Sequence, residues 1–432
     1  MTWSQHYRTE FSRRFRLANA TLTAGAIGAF LVLPPNLAAL PSLSQAPLKA
    51  TSAGKAHCPS AEFGTSVAIS GDTATIGAPT AHGGGAVCVY GRSGTHWGLQ
   101  AVLRDPAHGK YDDFGWTVAV SATPEGMYAM VGALGDGNNN GTAQPDGPVF
   151  VYARSGSSWH QVQTISDPLG YHPGNWFGAT LAMSGGSAVI TSIGVRNFRG
   201  TAYIYIIRKN SWHLQAALGN PGTGDFGGLA AISGATAVIG NGGTSSPPGP
   251  GSPIQDCAQP PKSRFPDAWV YTRISSKWHL QAHLEADSYS DSEAAVAISG
   301  NTILIGAFYI SCGGNSQYDG RGDAYVFNRH GRNWLWASTI DDPARSQGDF
   351  GTSLGISGSN AIIGAPYSQN VCGVAYAYKL TRGKWVLRTT LEPPGGSKCR
   401  KVEGFGWAIA VSGQTAVIGA PGNGKTYVLN FS

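Results

Sequence analysis

The chain has 432 residues, of which 12% are charged and 61 are glycine; globular domains usually carry about 25% charged residues. With 12 tryptophans and 17 tyrosines, this composition excludes a globally disordered or helix-dominated chain and points to many short strands joined by tight turns. Half of the formal charge of +6 lies before Pro47, where Arg8, Arg13, Arg14 and Arg16 stand against Glu10. The rest is spread thinly along the sequence, an argument against nucleic-acid binding.

In chain order, a basic stretch ending at Arg16 precedes a mildly apolar run from Leu17 to Leu33, stopped by Pro34-Pro35. This reads as an export signal, and Ser12-Arg13-Arg14 with Leu17 is similar to a twin-arginine signal. Asn19, Thr21 and Thr23 make the run a weak membrane span. Ser44-Gln45-Ala46 has the small residues of a cleavage site, but Pro47 follows directly. Residues 1–46 are therefore read as a removed signal or a retained anchor, and residues 47–432 as the exported domain. The expected location is secreted, periplasmic or cell-surface, with a membrane partner only if the N-terminal segment stays attached.

A repeat begins at Phe63-Gly64. It runs through Val67-Ala68-Ile69-Ser70-Gly71, Ala74-Thr75-Ile76-Gly77-Ala78-Pro79 and Ala86-Val87-Cys88-Val89-Tyr90, and ends in Trp97 before Leu99-Gln100-Ala101-Val102-Leu103. The same order restarts at Phe114, Phe177, Phe226, Phe350 and Phe405, and a degenerate copy has Ser292-Glu293 in the Phe-Gly place. Each unit holds four short apolar or alternating runs, hence four strands. The first two are joined by Ser-Gly turns of the type II′ kind, in which glycine comes first. Six tryptophans in one phase, Trp97, Trp159, Trp212, Trp278, Trp334 and Trp385, suit packing between units better than six ligand sites. One such unit cannot bury both of its faces, whereas seven stacked radially can. The fold class is all-β, a seven-bladed β-propeller of four-stranded antiparallel blades.

The seventh unit stops at Ser432, after its third strand. Leu48-Lys49-Ala50-Thr51 resembles Leu99-Gln100-Ala101-Val102, and Leu48 precedes Phe63 by the interval that separates Leu99 from Phe114. An N-terminal strand over Leu48 to Thr51 is thus expected to complete blade seven and close the ring.

The Phe-Gly openings, with Gly77-Ala78-Pro79, Gly364-Ala365-Pro366 and Gly419-Ala420-Pro421, resemble the FG-GAP repeat. That family includes the propeller of integrin α-subunits and many bacterial exported proteins, and the bacterial type, with its short first hairpin, is the more similar. The triplet departs from the pattern at Gly132-Ala133-Leu134, Thr191-Ser192-Ile193, Gly240-Asn241-Gly242 and Gly306-Ala307-Phe308. The resemblance implies a propeller with an extracellular binding habit. It transfers no integrin-like calcium site, because the connection that carries those sites is here only Ser-Gly-x-Thr.

The register also filters the enzyme-like strings. Gly419 to Thr426 spells a P-loop, but the run that follows is a strand, so no nucleotide is expected. Gly351-Thr352-Ser353-Leu354-Gly355 spells a nucleophile elbow, yet Gly64-Thr65-Ser66-Val67-Ala68 holds the same place in unit one. Asp113-Phe114-Gly115, Asp225-Phe226-Gly227 and Asp349-Phe350-Gly351 repeat a kinase metal motif in register, which argues for architecture. Arg321-Gly322-Asp323, an adhesion tripeptide, adjoins the third strand of unit five. Asp136, Asn138 and Asn140 fit the first half of a D-x-N-x-N-G calcium loop and are the candidate metal ligands. Gly147 stands where the bidentate glutamate would be, so the same string also reads as a polar glycine-rich connection.

Six cysteines in an exported chain suggest three disulfides. Blade proximity selects Cys58 with Cys88, Cys257 with Cys312 and Cys372 with Cys399 from fifteen connectivities. The expected function is non-catalytic: a binding or adhesion propeller that presents long second-to-third loops of units two, four and five to a protein or glycan. Apart from possible calcium it needs no cofactor, and it takes no nucleic acid or nucleotide. The alternative is a polysaccharide hydrolase or lyase with its site at the channel mouth, which requires converging carboxylates or a metal.

Overall fold

The computed structural model describes residues 45–48 and, between 58 and 430, all but 82–83, 107–112, 135–146, 171–173, 195–198, 223–225, 242–264, 287–291, 309–321, 346–347, 395, 397–398 and 400–402. It contains seven four-stranded antiparallel sheets. In blade one the strands are Ser66–Ser70, Thr73–Ala78, Ala86–Ser93 and His96–Arg104. The later blades span 114–165, 177–219, 226–286, 292–341 and 353–391. The first strand of every blade touches the first strand of the next, and that of blade seven touches that of blade one, so the ring closes. The only helical pieces among the described residues are one turn at Ser368–Val371 and a 3-10 turn at Pro421–Asn423.

Burial follows strand position. The second strands of blades one, three, six and seven are buried at every residue, which is why they consist of apolar and small polar residues with no charge. Fourth strands lie outermost and are mostly exposed. The core divides into seven clusters, each shared between neighbouring blades. Phe63, Phe114, Phe177, Phe226, Phe350 and Phe405 are fully buried in them. Each of the last five packs on an aromatic of its own third strand, for example Phe226 on Trp269 at 5.4 Å and Phe405 on Tyr427 at 5.3 Å between ring centroids.

Two contacts between blades give the repeated residues their physical meaning. The glycine at the head of each Gly-Ala-Pro triplet faces the carbonyl of the next blade's Phe-Gly glycine. A Cβ on Gly77 would stand 2.1 Å from the oxygen of Gly115, one on Gly364 2.2 Å from that of Gly406, and one on Gly419 2.0 Å from that of Gly64. No side chain fits there. The second contact is a ring of hydrogen bonds at the opposite ends of the first strands. The serines that end or follow the first strands' apolar run, Ser70, Ser121, Ser184, Ser233, Ser299, Ser357 and Ser412, six of them in Ser-Gly pairs, each accept a backbone N–H from the matching position of the following blade, at 2.9–3.2 Å. The glycine of these turns holds a positive φ, +56° at Gly71, as a type II′ hairpin requires of its first loop residue.

The closing strand is displaced from its expected place. It is Gln45–Leu48, antiparallel to Lys425–Asn430, with Leu48 opposite Thr426. Thr426 sits across from Gly419, as Val87 sits across from Gly77, and Val87 pairs with Leu103. Leu48 therefore holds the place of Leu103, not of Leu99, and residues 49–51 lie outside the described set. The length between the fourth strand and the next phenylalanine is not constant around the ring. What sets the register is burial: the same place holds Ile165, Leu218, Leu284, Ile340 and Leu391, all at or below 8% exposure. Pro47 sits in an outermost strand, where a missing N–H is tolerated.

Leu48→Ala should destabilise the ring by about 2–4 kcal/mol in equilibrium denaturant unfolding; an unchanged midpoint would show that the seam does not depend on this strand. Gly77→Ala should cost about 1–3 kcal/mol through overpacking, whereas Gly98→Ala, with open space around it, should leave the midpoint within error.

Candidate functional site

The ring offers three places for chemistry: the axial channel, the face of long connections and the face of short turns. The channel comes from the first strands. A cavity of about 230 Å³ is lined by Ser66, Thr117, Thr180, Thr352 and Ser353 together with Val67, Val118, Leu181, Leu354, Ile409 and two alanines. Ser66, Thr117 and Ser353 donate to the carbonyls of Gly115, Gly178 and Gly406 of the next blade at 2.6–2.8 Å. The serines of the two elbow-like strings are thus ties between blades. Among the described residues no carboxylate, histidine or cysteine lines this cavity, and no group of three metal-ligating side chains occurs.

The other enzyme-like strings resolve in the same way. Asp113 and Asp349 adopt φ of +49° and +53° ahead of their phenylalanines, a left-handed conformation that Asp tolerates better than most residues. Glu62 does the same in blade one, with φ +51°. The carbonyls of Glu62, Asp113 and Asp349 accept N–H bonds from Thr65, Trp116 and Thr352, closing a short turn. After Ala420 the chain makes a 3-10 turn and then the strand Lys425–Asn430, so no helix N-terminus faces a phosphate site. Gly322 and Asp323 open the third strand of blade five, and Arg321 lies outside the described residues.

Because strands alternate in direction, all second-to-third and blade-to-blade connections emerge on one face, here called the loop face. The strand ends that flank 134–148, 242–264 and 309–321 lie on it. The candidate calcium ligands Asp136, Asn138 and Asn140, and the pair Cys257 and Cys312, lie outside the described residues. Two expected disulfides are formed, Cys58–Cys88 and Cys372–Cys399. Cys88 takes the third-strand place held by Phe150, Tyr203, Trp269, Tyr376 and Tyr427 in other blades. Blade one thus replaces that aromatic with a bond to the segment that follows the closing strand.

A device of this face that the sequence reading missed is the Asx-Pro turn after the fourth strand, visible in retrospect as Asp167-Pro168, Asn220-Pro221 and Asp342-Pro343. The side-chain oxygens accept the N–H two residues on, at 2.9, 2.7 and 3.0 Å. Asp167 also receives Asn175 at 2.9 Å, Ser192 at 3.3 Å and Tyr203 at 3.4 Å. Such a saturated carboxylate orders a loop and has no lone pair to spare for acid–base work.

The first-to-second and third-to-fourth turns form the opposite, turn face. Lysines and arginines that the sequence spreads thinly gather here, once or more per blade in blades one to six. Arg92, Arg273 and Arg329 lie over Trp97, Trp278 and Trp334 at 5.7–5.9 Å. The indoles in turn join blades: Trp278 donates to Gln215 at 2.9 Å and Trp334 to Gln281 at 3.2 Å. The tryptophan row therefore packs and ties blades together, as its phase suggested.

A family model described as the FG-GAP repeat matches residues 57–90. That span runs from just before Cys58 through the third strand of blade one, and its features recur around the ring. The chain thus carries an FG-GAP repeat in blade one and folds as a seven-bladed β-propeller, a fold of the binding type in general. No match was found among curated proteins. The repeats and the disulfides are consistent with an extracellular or surface protein.

Burial raises the phenols of Tyr152, Tyr205 and Tyr376 above their ordinary value, with Asp105, Asp167 and Asp342 adding to the effect. Tyr271 is pushed up to about 12 by burial. A raised folded-state value leaves stability intact below pH 10, where neither state ionises, and removes it above, where the unfolded chain alone releases protons. The melting temperature should hold up to about pH 10 and then fall steeply toward pH 12; a flat profile over that interval would contradict the buried phenols.

Proposed function

We propose that this ring is a non-catalytic extracellular binding module whose loop face receives a protein or glycan partner. The carrying observation is the contrast between the two faces. The turn face is built from short hairpins, while connections such as 134–148, 242–264 and 309–321 all leave the rigid ring on the other side, where folds of this kind place recognition. The channel supports the same reading. Ser66, Thr117, Thr180 and Ser353 spend their hydroxyls on neighbouring blades and Thr352 on its own turn, and the other described lining residues are aliphatic, whereas a polysaccharide hydrolase or lyase needs paired carboxylates or a metal. Export, by signal or by anchor, accords with the disulfides. Asp136, Asn138 and Asn140 are proposed to add a calcium ion that stiffens one of the contacting loops.

The exported chain should retain a defined ligand on a glycan array or in a pull-down of surface proteins, and replacing residues 243–263 by a short Gly-Ser linker should abolish that retention while leaving the melting temperature within a few degrees. Undiminished binding by the linker variant, or turnover of a bound glycan, would overturn the assignment. Millimolar calcium should raise the melting temperature of the parent but not of Asp136→Ala.

A further inference from the structure

Around blades three to six the turn face carries six exposed cations: Arg208, Lys209, Lys277, Arg332, Arg382 and Lys384. The acidic residues among its turns are Asp72 and Glu125. Asp72 is bound by Arg92, and Glu125 accepts the backbone N–H groups of Lys209 and Asn210. The turns of blades four to six contain no acidic residue. Their positive charge is therefore uncompensated over three consecutive blades.

Large apolar side chains stand exposed among these cations. Ile274 is 59% exposed in the hairpin between Arg273 and Lys277, and Leu335 and Trp336 are 52% and 51% exposed just after Arg332. Val386 and Leu387 follow Lys384 with 42% and 39%. Each lies within three residues of its turn, hence within about 10 Å of it along the strand. Cations interleaved with exposed isoleucine, leucine and tryptophan are what a membrane interface rewards, since the charges meet anionic headgroups and the apolar tips enter the acyl boundary. A nucleic-acid backbone would use the charges alone.

The path of the chain points the same way. The closing strand Gln45–Leu48 runs antiparallel to Lys425–Asn430, so it enters from the turn face. Residues 1–44, with the apolar run from Leu17 to Leu33, are thus joined to the ring on that face, at blade seven beside the cations of blade six.

We propose that the turn face of blades four to six docks on an anionic lipid surface, which leaves the loop face directed away from the membrane. This stands independently of what the loop face binds. The test is flotation of the full chain with vesicles of phosphatidylcholine, alone or mixed with phosphatidylglycerol, with duplex DNA in parallel at the same ionic strength. The parent should prefer the anionic vesicles. The variant Lys277→Gln/Arg332→Gln/Arg382→Gln should bind them roughly a hundredfold less well, while Arg199→Gln/Arg345→Gln/Lys425→Gln on the loop face should bind as the parent does. Hydrogen exchange should slow at residues 275–277, 331–333 and 382–384 with anionic vesicles only. Equal binding by parent and turn-face variant, protection on the loop face instead, or tighter binding to DNA than to vesicles would overturn the proposal.

Discussion

The approach of one blade's backbone to a glycine of its neighbour is the contact on which this ring depends. A four-stranded blade has two apolar faces, and both must be covered by blades on either side. Where the backbones of neighbouring blades approach closest, no side chain fits between them, so Gly77, Gly364 and Gly419 leave room for the carbonyls of Gly115, Gly406 and Gly64. Farther out the same gap widens to take a phenylalanine and an aromatic partner. The FG-GAP signature is thus a record of wedge geometry. Blade three shows its tolerance: Thr191 replaces the glycine, and its Cβ lies 3.1 Å from where a Cβ on Gly227 would stand.

Ring closure adds a requirement that no single repeat contains. Blade seven takes three strands from the end of the chain and its outermost strand from residues 45–48. Ten residues on, Cys58 is bonded to Cys88 in the third strand of blade one. Leu48 thus ties the chain to blade seven by burial and Cys58 ties it to blade one by a disulfide. A bond spanning about thirty residues contributes between about 3.5 and 4 kcal/mol in the chain-entropy description. The fourth strands remain edges. In blades one to six each carries a register shift near its middle, which interrupts the flat run of N–H and carbonyl groups that invites pairing between chains.

The alternation of strand direction sorts the molecule into two unlike surfaces. One collects every long connection, the Asx-Pro turns and both described disulfides. The other collects short hairpins, the serine ring and the cations. Neither surface competes with the core for residues, so loops and turn charges are free to vary while the inter-blade contacts persist.

Composition and repeat determined much of this protein by themselves: the four-strand unit, the count of seven, the use of both chain ends in blade seven, the packing role of the tryptophans and two of the disulfides. These follow from local pattern, because period-two burial, Ser-Gly turns and recurrent phenylalanines are visible wherever they recur. Three things were settled only in three dimensions. The closing register was misplaced by four residues because connection lengths vary, and only the burial of Leu48 opposite Thr426 fixes it. The Asx-Pro turns were passed over because their meaning lies in a backbone N–H bond. The basic face was invisible because lysines and arginines some fifty residues apart in sequence become neighbours only when the blades close into a ring.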